Sequence, residues 1–422
     1  MTKRLTFSTF TAWLSLSLFF LYVYVLRVSS GMMFVQLRSE FCMTAGQFGI
    51  FGACYFYAYA LAQVPMGVLL DRLGIRWVVL FSLILTLMST IIFAYADTLW
   101  LVYGSRALLG LGSAAVLMSC LKYVSDTMPE KYLGTFMGLS LGVGVMGALG
   151  AGSNIPDFLE LYSWRSVLMM VAYGGIPLFA LLMIVIPAKK SPHGGTPTEP
   201  FNLRAIISVV WAVITHRHIM LYGFLSIGVY TPLAVLADLW GPAYFTIKFD
   251  WTADQAAKAA TRMYAGLMLG SIVLPWISRI LHDYNRVIQF STFGIFFLMI
   301  SILYIPNISA ITFAAGLVGI GILCGAEMLC FTGATHYTTG KTSGTTIGIV
   351  NTFNMLGGAI LSQLIGKILD CSWGGGMIGN IRVYTVADYT TALVVIICAV
   401  AGCAVGTFFL QKPGAPGADC VR

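Results

Sequence analysis

Four ionisable side chains fall inside long apolar runs, where a charge is costly and marks function by default: Arg27, Arg106, Asp238 and Glu327. Arg27 stands in Tyr22-Val23-Tyr24-Val25-Leu26-Arg27-Val28-Ser29-Ser30, apolar on both sides. A guanidinium there can meet the carboxylate of an anionic or zwitterionic solute, with Tyr24 beside it. Its alternative is to snorkel to the outer surface. Arg106 precedes Gly110 and Gly112, near the outer end of its run, where a structural arginine at the headgroups is the other reading. Proton-coupled transport needs a carboxyl whose proton affinity changes as its burial and its distance from an arginine change. Glu327 is the first candidate for that carboxyl and Asp238 the second, although either can instead be the permanent partner of a buried arginine.

Neutral polar residues add a lining. Tyr55 and Tyr59 are four apart and share a helical face that Gln63 continues. Asn351 and Asn354 carry amides on a later run. Hydroxyls and amides on one stripe suit a wet cavity wall that binds solute; packing of helix against helix is the alternative use of the tyrosines. Glycines Gly134, Gly138, Gly142, Gly144, Gly147, Gly150 and Gly152 suit close helix approach.

The elements that must position these groups follow from composition. Of 422 residues, 58% are hydrophobic and only 9% charged, too few charges for a water-solvated surface. Crossing a bilayer takes about 20 apolar residues. Twelve runs qualify: 10–36, 46–69, 77–96, 99–124, 134–155 and 164–187, then 218–245, 259–281, 286–305, 309–335, 343–369 and 388–410. The fold class expected is an all-α membrane protein of 12 transmembrane helices in two pseudo-symmetric six-helix bundles. Residues 1–187 form the first bundle, 188–217 a cytoplasmic linker with an interfacial helix, and 218–422 the second bundle.

With a cytoplasmic N-terminus, 15 of the 24 Lys and Arg fall in cytoplasmic segments, among them Lys3, Arg4, Lys131, Lys189, Lys190, Lys341, Lys412 and Arg422. Seven, Arg38, Arg165, Lys248, Lys258, Arg262, Lys367 and Arg382, fall outside. That bias places both termini in the cytoplasm of an inner-membrane protein. It also accounts for the net charge of +8 without nucleic acid, because the basic residues form no patch interleaved with aromatics. Duplication is visible in Gly134-Thr135-Phe136-Met137-Gly138 against Gly344-Thr345-Thr346-Ile347-Gly348, offset 210, and in Gly110-Leu111-Gly112 against Gly319-Ile320-Gly321, offset 209.

The loop between the second and third runs reads Gly67-Val68-Leu69-Leu70-Asp71-Arg72-Leu73-Gly74-Ile75-Arg76. Gly67 allows close approach, Gly74 a tight turn, and Asp71 can sit at a neighbouring helix N-terminus. The loop resembles the signature of the major facilitator superfamily: Gly, three residues, Asp-Arg, one residue, Gly, one residue, Arg. The resemblance implies the major facilitator fold and a conformational latch made by Gly67, Asp71, Arg72, Gly74 and Arg76. A decayed second-half counterpart carries Ser278 at the acidic position. Arg106 with Gly110 and Gly112 resembles the family's second signature, which implies a part in proton coupling. A Gly-Pro pair that marks the family's antiporters on the fifth helix is absent. Leu26-Arg27-Val28-Ser29-Ser30 and Tyr55-Phe56-Tyr57-Ala58-Tyr59-Ala60-Leu61 are similar to a proteobacterial branch that includes amino-acid importers.

The expectation is a secondary active transporter of a small polar organic solute, an amino acid or organic acid, coupled to protons and working by alternating access. It is expected as a monomer in membrane lipid, with no cofactor and no metal. A metabolite or siderophore exporter, or a receptor that binds without translocating, are the alternatives. No GxxxxGK[ST] loop is present for ATP, and five scattered histidines offer no catalytic spacing for an enzyme.

Overall fold

The computed structural model describes residues 6–129, 132–187, 203–305, 308–338 and 342–411. Among these, twelve helices are long and apolar enough to cross a membrane. Spans 1 to 6 are Phe7–Met32, Ala45–Leu73, Ile75–Ala94, Leu99–Thr127, Thr135–Leu161 and Trp164–Val185. Spans 7 to 12 are Arg217–Phe249, Ala253–Leu281, Tyr284–Tyr304, Ala310–Thr335, Ser343–Ser372 and Val386–Phe409. A helix satisfies its own backbone, which hydrocarbon cannot do, and so these apolar runs form helices. Helix starts are closed by side chains: Thr44 with Gln47, Thr252 with Gln255 and Thr385 with Asp388 form reciprocal caps.

The helix Leu203–Thr215 precedes span 7. Residues 188–202 of the expected linker lie outside the described residues, as do Lys3, Arg4, Lys131, Lys341, Lys412 and Arg422 of the charge tally.

Several expected boundaries are corrected. Span 1, read as one helix over 10–36, stops at Met32, and a separate helix Phe34–Phe41 follows the break at Met33. Span 7 is wound as a π-helix over Leu233–Trp240, directly after Pro232, whose ring removes a backbone donor. Spans 4 and 10 each break once, at Ala114–Ala115 and at Gly325–Ala326. Lys258, Arg262 and Lys367, counted with the outer segments, lie within the helices of spans 8 and 11.

The duplication has sharper landmarks than the glycine matches. Cys42 and Asp250 are both left-handed, with φ of 48° and 53°, and each ends the helix that leads into a capping threonine, Thr44 or Thr252, at offset 208. The Gly-x-Gly match is not in packing register. Gly110 lies against the Tyr55 carbonyl of span 2, whereas in the second half Gly321, not Gly319, takes that place against Met263 of span 8.

A β-carbon at Gly321 would overlap the Met263 carbonyl oxygen. Gly321→Val is therefore expected to cost about 1–3 kcal/mol, read as a lower midpoint of thermal unfolding in detergent. An unchanged midpoint would mean that spans 8 and 10 are not in backbone contact there.

The two bundles touch unevenly along their length. Between spans 5 and 8, a β-carbon on Gly152 would collide with Thr261 Oγ1, and one on Gly142 would meet Met268 Sδ at 3.8 Å. One on Gly138 would meet nothing within 4 Å. Spans 2 and 11 follow the same gradient: Gly366 is closed on Ala45 and Gly49 on Ser362, while Gly344 and Gly348 face open space. The bundles thus close on the face opposite the chain ends and part towards the face that carries them.

Candidate functional site

Spans 1 and 7 bring the first charged pair together. Arg27 donates from Nε to Asp238 Oδ2 at 2.9 Å and from a terminal nitrogen to the same oxygen at 2.6 Å. A third bond reaches the Tyr230 hydroxyl, and Tyr264 donates its hydroxyl to Asp238 Oδ1. Both charges are almost fully removed from the surface, at 5% and 3% exposure. The π-helical winding of Leu233–Trp240 rotates Asp238 relative to a regular helix, and Gly31 lets span 1 come against the Asp238 backbone. The snorkelling alternative for Arg27 is excluded by that burial and pairing. Part of its charge is already spent on a carboxylate of the chain itself.

Aromatic rings enclose the guanidinium. Its carbon lies 5.5 Å from the Tyr24 ring, 5.8 Å from Tyr55, 5.3 Å from Phe56 and 5.6 Å from Tyr230. Each ring face attracts a cation, more strongly where water is excluded. Tyr24 also packs edge-on against Tyr264 of the other bundle at 5.5 Å, which joins the halves at the level of the ion pair.

Arg106 is the second buried guanidinium, at 4% exposure. Its terminal nitrogens point at the carbonyls of Leu26 and Arg27, both at 3.4 Å, and its face lies 4.9 Å from Phe51 and 5.2 Å from Tyr55. Its Nε has no hydrogen-bond partner, and among the described residues no carboxylate forms an ion pair with it. Carbonyl dipoles at such distances compensate a buried cation poorly, so Arg106 is a place where an anion would be strongly favoured.

Glu327 opens the second segment of span 10, immediately after its break, and is buried at 6% exposure. Asn354 of span 11 donates to its Oε1 at 2.5 Å, while Asn354 Oδ1 has no partner. The two acids therefore have different employments: Asp238 holds an arginine, and Glu327 meets a neutral amide.

The expected lining is redistributed. Tyr55 and Tyr59 do share an inward face, and Tyr59 lies within reach of Gln63 and Asn351. Gln63, read as a solute contact, aims its amide nitrogen at the Ala114 carbonyl at 3.5 Å, where the break in span 4 leaves that carbonyl without a helical partner. Asn354, also read as a solute contact, is the partner of Glu327. Tyr230 and Tyr264 join the site without having been among the expected residues. Their signal is a phenol inside an apolar run, the same one that singles out Tyr55.

The latch residues lie at the open end. Asp71 binds Lys122 of its own bundle at 2.5 Å and is 72% exposed at the side chain. Arg76 donates to the Ile186 carbonyl at 3.0 Å. Gly74 takes a φ of 78°, as its turn requires. A β-carbon on Gly67 would find nothing within 4 Å, so the close approach expected of this glycine is not made in this conformation. Arg72 is exposed in the same turn.

Comparison with known proteins bears on the chain as a whole. A sequence profile of the Major Facilitator Superfamily matches residues 5–362. A gentisate transporter of Corynebacterium glutamicum is 22% identical over 85% of this chain and 80% of its own length. A D-galactonate transporter of Escherichia coli is 22% identical over 61% of this chain and 64% of its own length. Among solved structures, a bacterial homologue of the human lysosomal transporter Spinster superposes with a TM-score of 0.74 at 14% identity, covering 96% of this chain and 97% of that one. A D-xylose-proton symporter superposes with a TM-score of 0.69 at 13% identity, covering 98% of this chain and 99% of that one.

Proposed function

The chain belongs to the Major Facilitator Superfamily, and from that membership we propose that it carries a small organic acid anion together with protons, exposing one central site to each side of the membrane in turn. The observation that supports this reading most is Arg106, a buried guanidinium with an unpartnered Nε and, among the described residues, no carboxylate on it. A solute carboxylate docked there would supply the charge that the chain does not. Gentisate and D-galactonate, the solutes named for two relatives, are carboxylate anions.

In this reading Arg106 anchors the carboxylate, Arg27 shares it when Asp238 yields, and Tyr24, Tyr55, Tyr59 and Asn351 form the surrounding wall. Glu327 carries the coupling proton. Asp71, Arg72 and Arg76 act on conformation, with Gly67 and Gly74 shaping the loop. The protein works as a monomer in the inner membrane with both termini cytoplasmic, so that the cleft opens to the cytoplasm here. An amino acid remains the second reading, because among the described residues Glu327 has no cationic partner in direct contact and could meet an ammonium group.

Reconstitution in proteoliposomes tests both. With an imposed pH gradient, gentisate or D-galactonate is expected to accumulate, and a panel of amino acids is not. Arg106→Gln is expected to raise the KM for the carboxylate roughly tenfold or more, the effect of truncating one partner of a desolvated charge pair. Accumulation of amino acids alone would replace the organic-acid reading; binding without uptake would make the chain a receptor.

A further inference from the structure

The densest polar contact between the bundles lies on the face opposite the chain ends, away from the site just described. Span 2 begins there with Thr44 as its cap, and its first backbone N–H groups have no partner within the helix. Asp370, near the end of span 11 in the other bundle, takes up two of them. Its Oδ1 accepts from the Ala45 amide at 3.2 Å and its Oδ2 from the Gly46 amide at 2.8 Å. A negative charge at this position also faces the positive end of the helix dipole.

The carboxylate is held in place from its own side. Tyr384 donates to Asp370 Oδ1 at 2.6 Å and accepts from the Ala45 amide at 3.1 Å, so a single hydroxyl bridges the bundles. Burial, with Asp370 beside it, pushes the Tyr384 phenol up to about 12, and it remains a donor. Arg382 reaches the same oxygen at 3.2 Å. Arg38 of the first bundle then grips the Arg382 carbonyl at 2.8 Å and the Met43 carbonyl at 3.1 Å, with Tyr384 stacked 5.0 Å from its guanidinium.

Two glycines make the approach possible. A β-carbon on Gly46 would lie 2.7 Å from Asp370 Oδ2, and one on Gly366 would overlap the Ala45 carbonyl. Spans 2 and 11 are antiparallel, so each presents its last turn to the partner's first. Asp71 occupies the last turn of span 2 as Asp370 does that of span 11, but Asp71 is engaged with Lys122 inside its own bundle.

We propose that Asp370 is the latch of this far face: it holds the bundles shut by capping span 2 across the interface, and it must leave Ala45 and Gly46 before the site can open to that side. Arg38, Arg382 and Tyr384 position the carboxylate and are released with it. The proposal does not depend on which solute is carried.

Substrate-free protein in detergent and in nanodiscs, spin-labelled through non-natural amino acids at exposed Ser39 and Ala387, reads the separation of the two bundles on this face by pulsed electron resonance. Asp370→Ala is expected to raise the ratio of wide to narrow populations roughly tenfold or more, since charge-assisted bonds are lost only from the closed state. Tyr384→Phe, which keeps the ring and loses the bridge, is expected to shift the same ratio in the same direction by less. Should Asp370→Ala fail to fold, Asp370→Asn and Tyr384→Phe decide. Distance distributions identical to the parent's in Tyr384→Phe and in every Asp370 variant that folds would overturn the latch.

Discussion

Glu327→Gln is expected to abolish uphill, proton-driven accumulation while exchange of solute across the membrane continues. The substitution keeps the shape of the side chain and keeps the oxygen that accepts from Asn354, so the contact between spans 10 and 11 survives. What is lost is the ability to bind and release a proton. An imposed gradient of one pH unit is worth about 1.4 kcal/mol per proton, and one coupled proton sustains roughly tenfold accumulation. In the variant that ratio should fall to unity under the same gradient. Counterflow, in which labelled solute enters against unlabelled solute inside, needs only alternating access and should remain near the parental rate. Accumulation that still follows the pH gradient would move the proton to another group, with Asp238 next in line.

Arg27→Gln should be the most damaging single change to the fold. Asp238 receives two bonds from Arg27 and one from Tyr264, and is only 3% exposed. Removing one partner of a buried pair typically costs about 3–5 kcal/mol, because the other charge is stranded. The expected result is a marked drop in the midpoint of thermal unfolding, with much of the protein lost to aggregation in detergent. Arg27→Gln combined with Asp238→Asn should recover most of the midpoint, since neither neutral group is then a stranded charge. Transport should not recover in the double variant. A single Arg27→Gln variant as stable as the parent would show that the pair contributes little, and recovered transport in the double variant would remove Arg27 from the solute path.

The pair also explains why an empty carrier can be stable with arginines at its centre. Asp238 occupies Arg27 across the interface between bundles, and under the organic-acid proposal a solute carboxylate would contest that position. Exchange of one carboxylate for the other would loosen span 1 from span 7 at the moment of binding, which is when the bundles must be free to rock.

Some of this is legible in the residues alone. Charges in apolar runs flag Arg27, Arg106, Asp238 and Glu327, and all four lie buried in the bundle. The loop from Gly67 to Arg76 points to the family that the profile match establishes. A further signal lies in Thr44-Ala45-Gly46-Gln47 and Thr252-Ala253-Asp254-Gln255, which repeat at offset 208 and both prove to be reciprocal caps. Asp370 cannot be found by the same route, because it stands near the end of a run where an acid is cheap and ordinary.

Hydropathy and the signature turn were enough to determine a twelve-span carrier with its ionisable groups inside, since those properties depend on residue type and local spacing. Which charge meets which was decided only by tertiary structure. Arg27 and Asp238 are 211 residues apart, and Asp370 and Ala45 are 325 apart. Their meeting depends on the rotation of each helix about its axis, which a π-helical stretch at Leu233–Trp240 and breaks in spans 4 and 10 reset by fractions of a turn. Spacing along a chain carries the period of a helix but not the direction in which its neighbour faces.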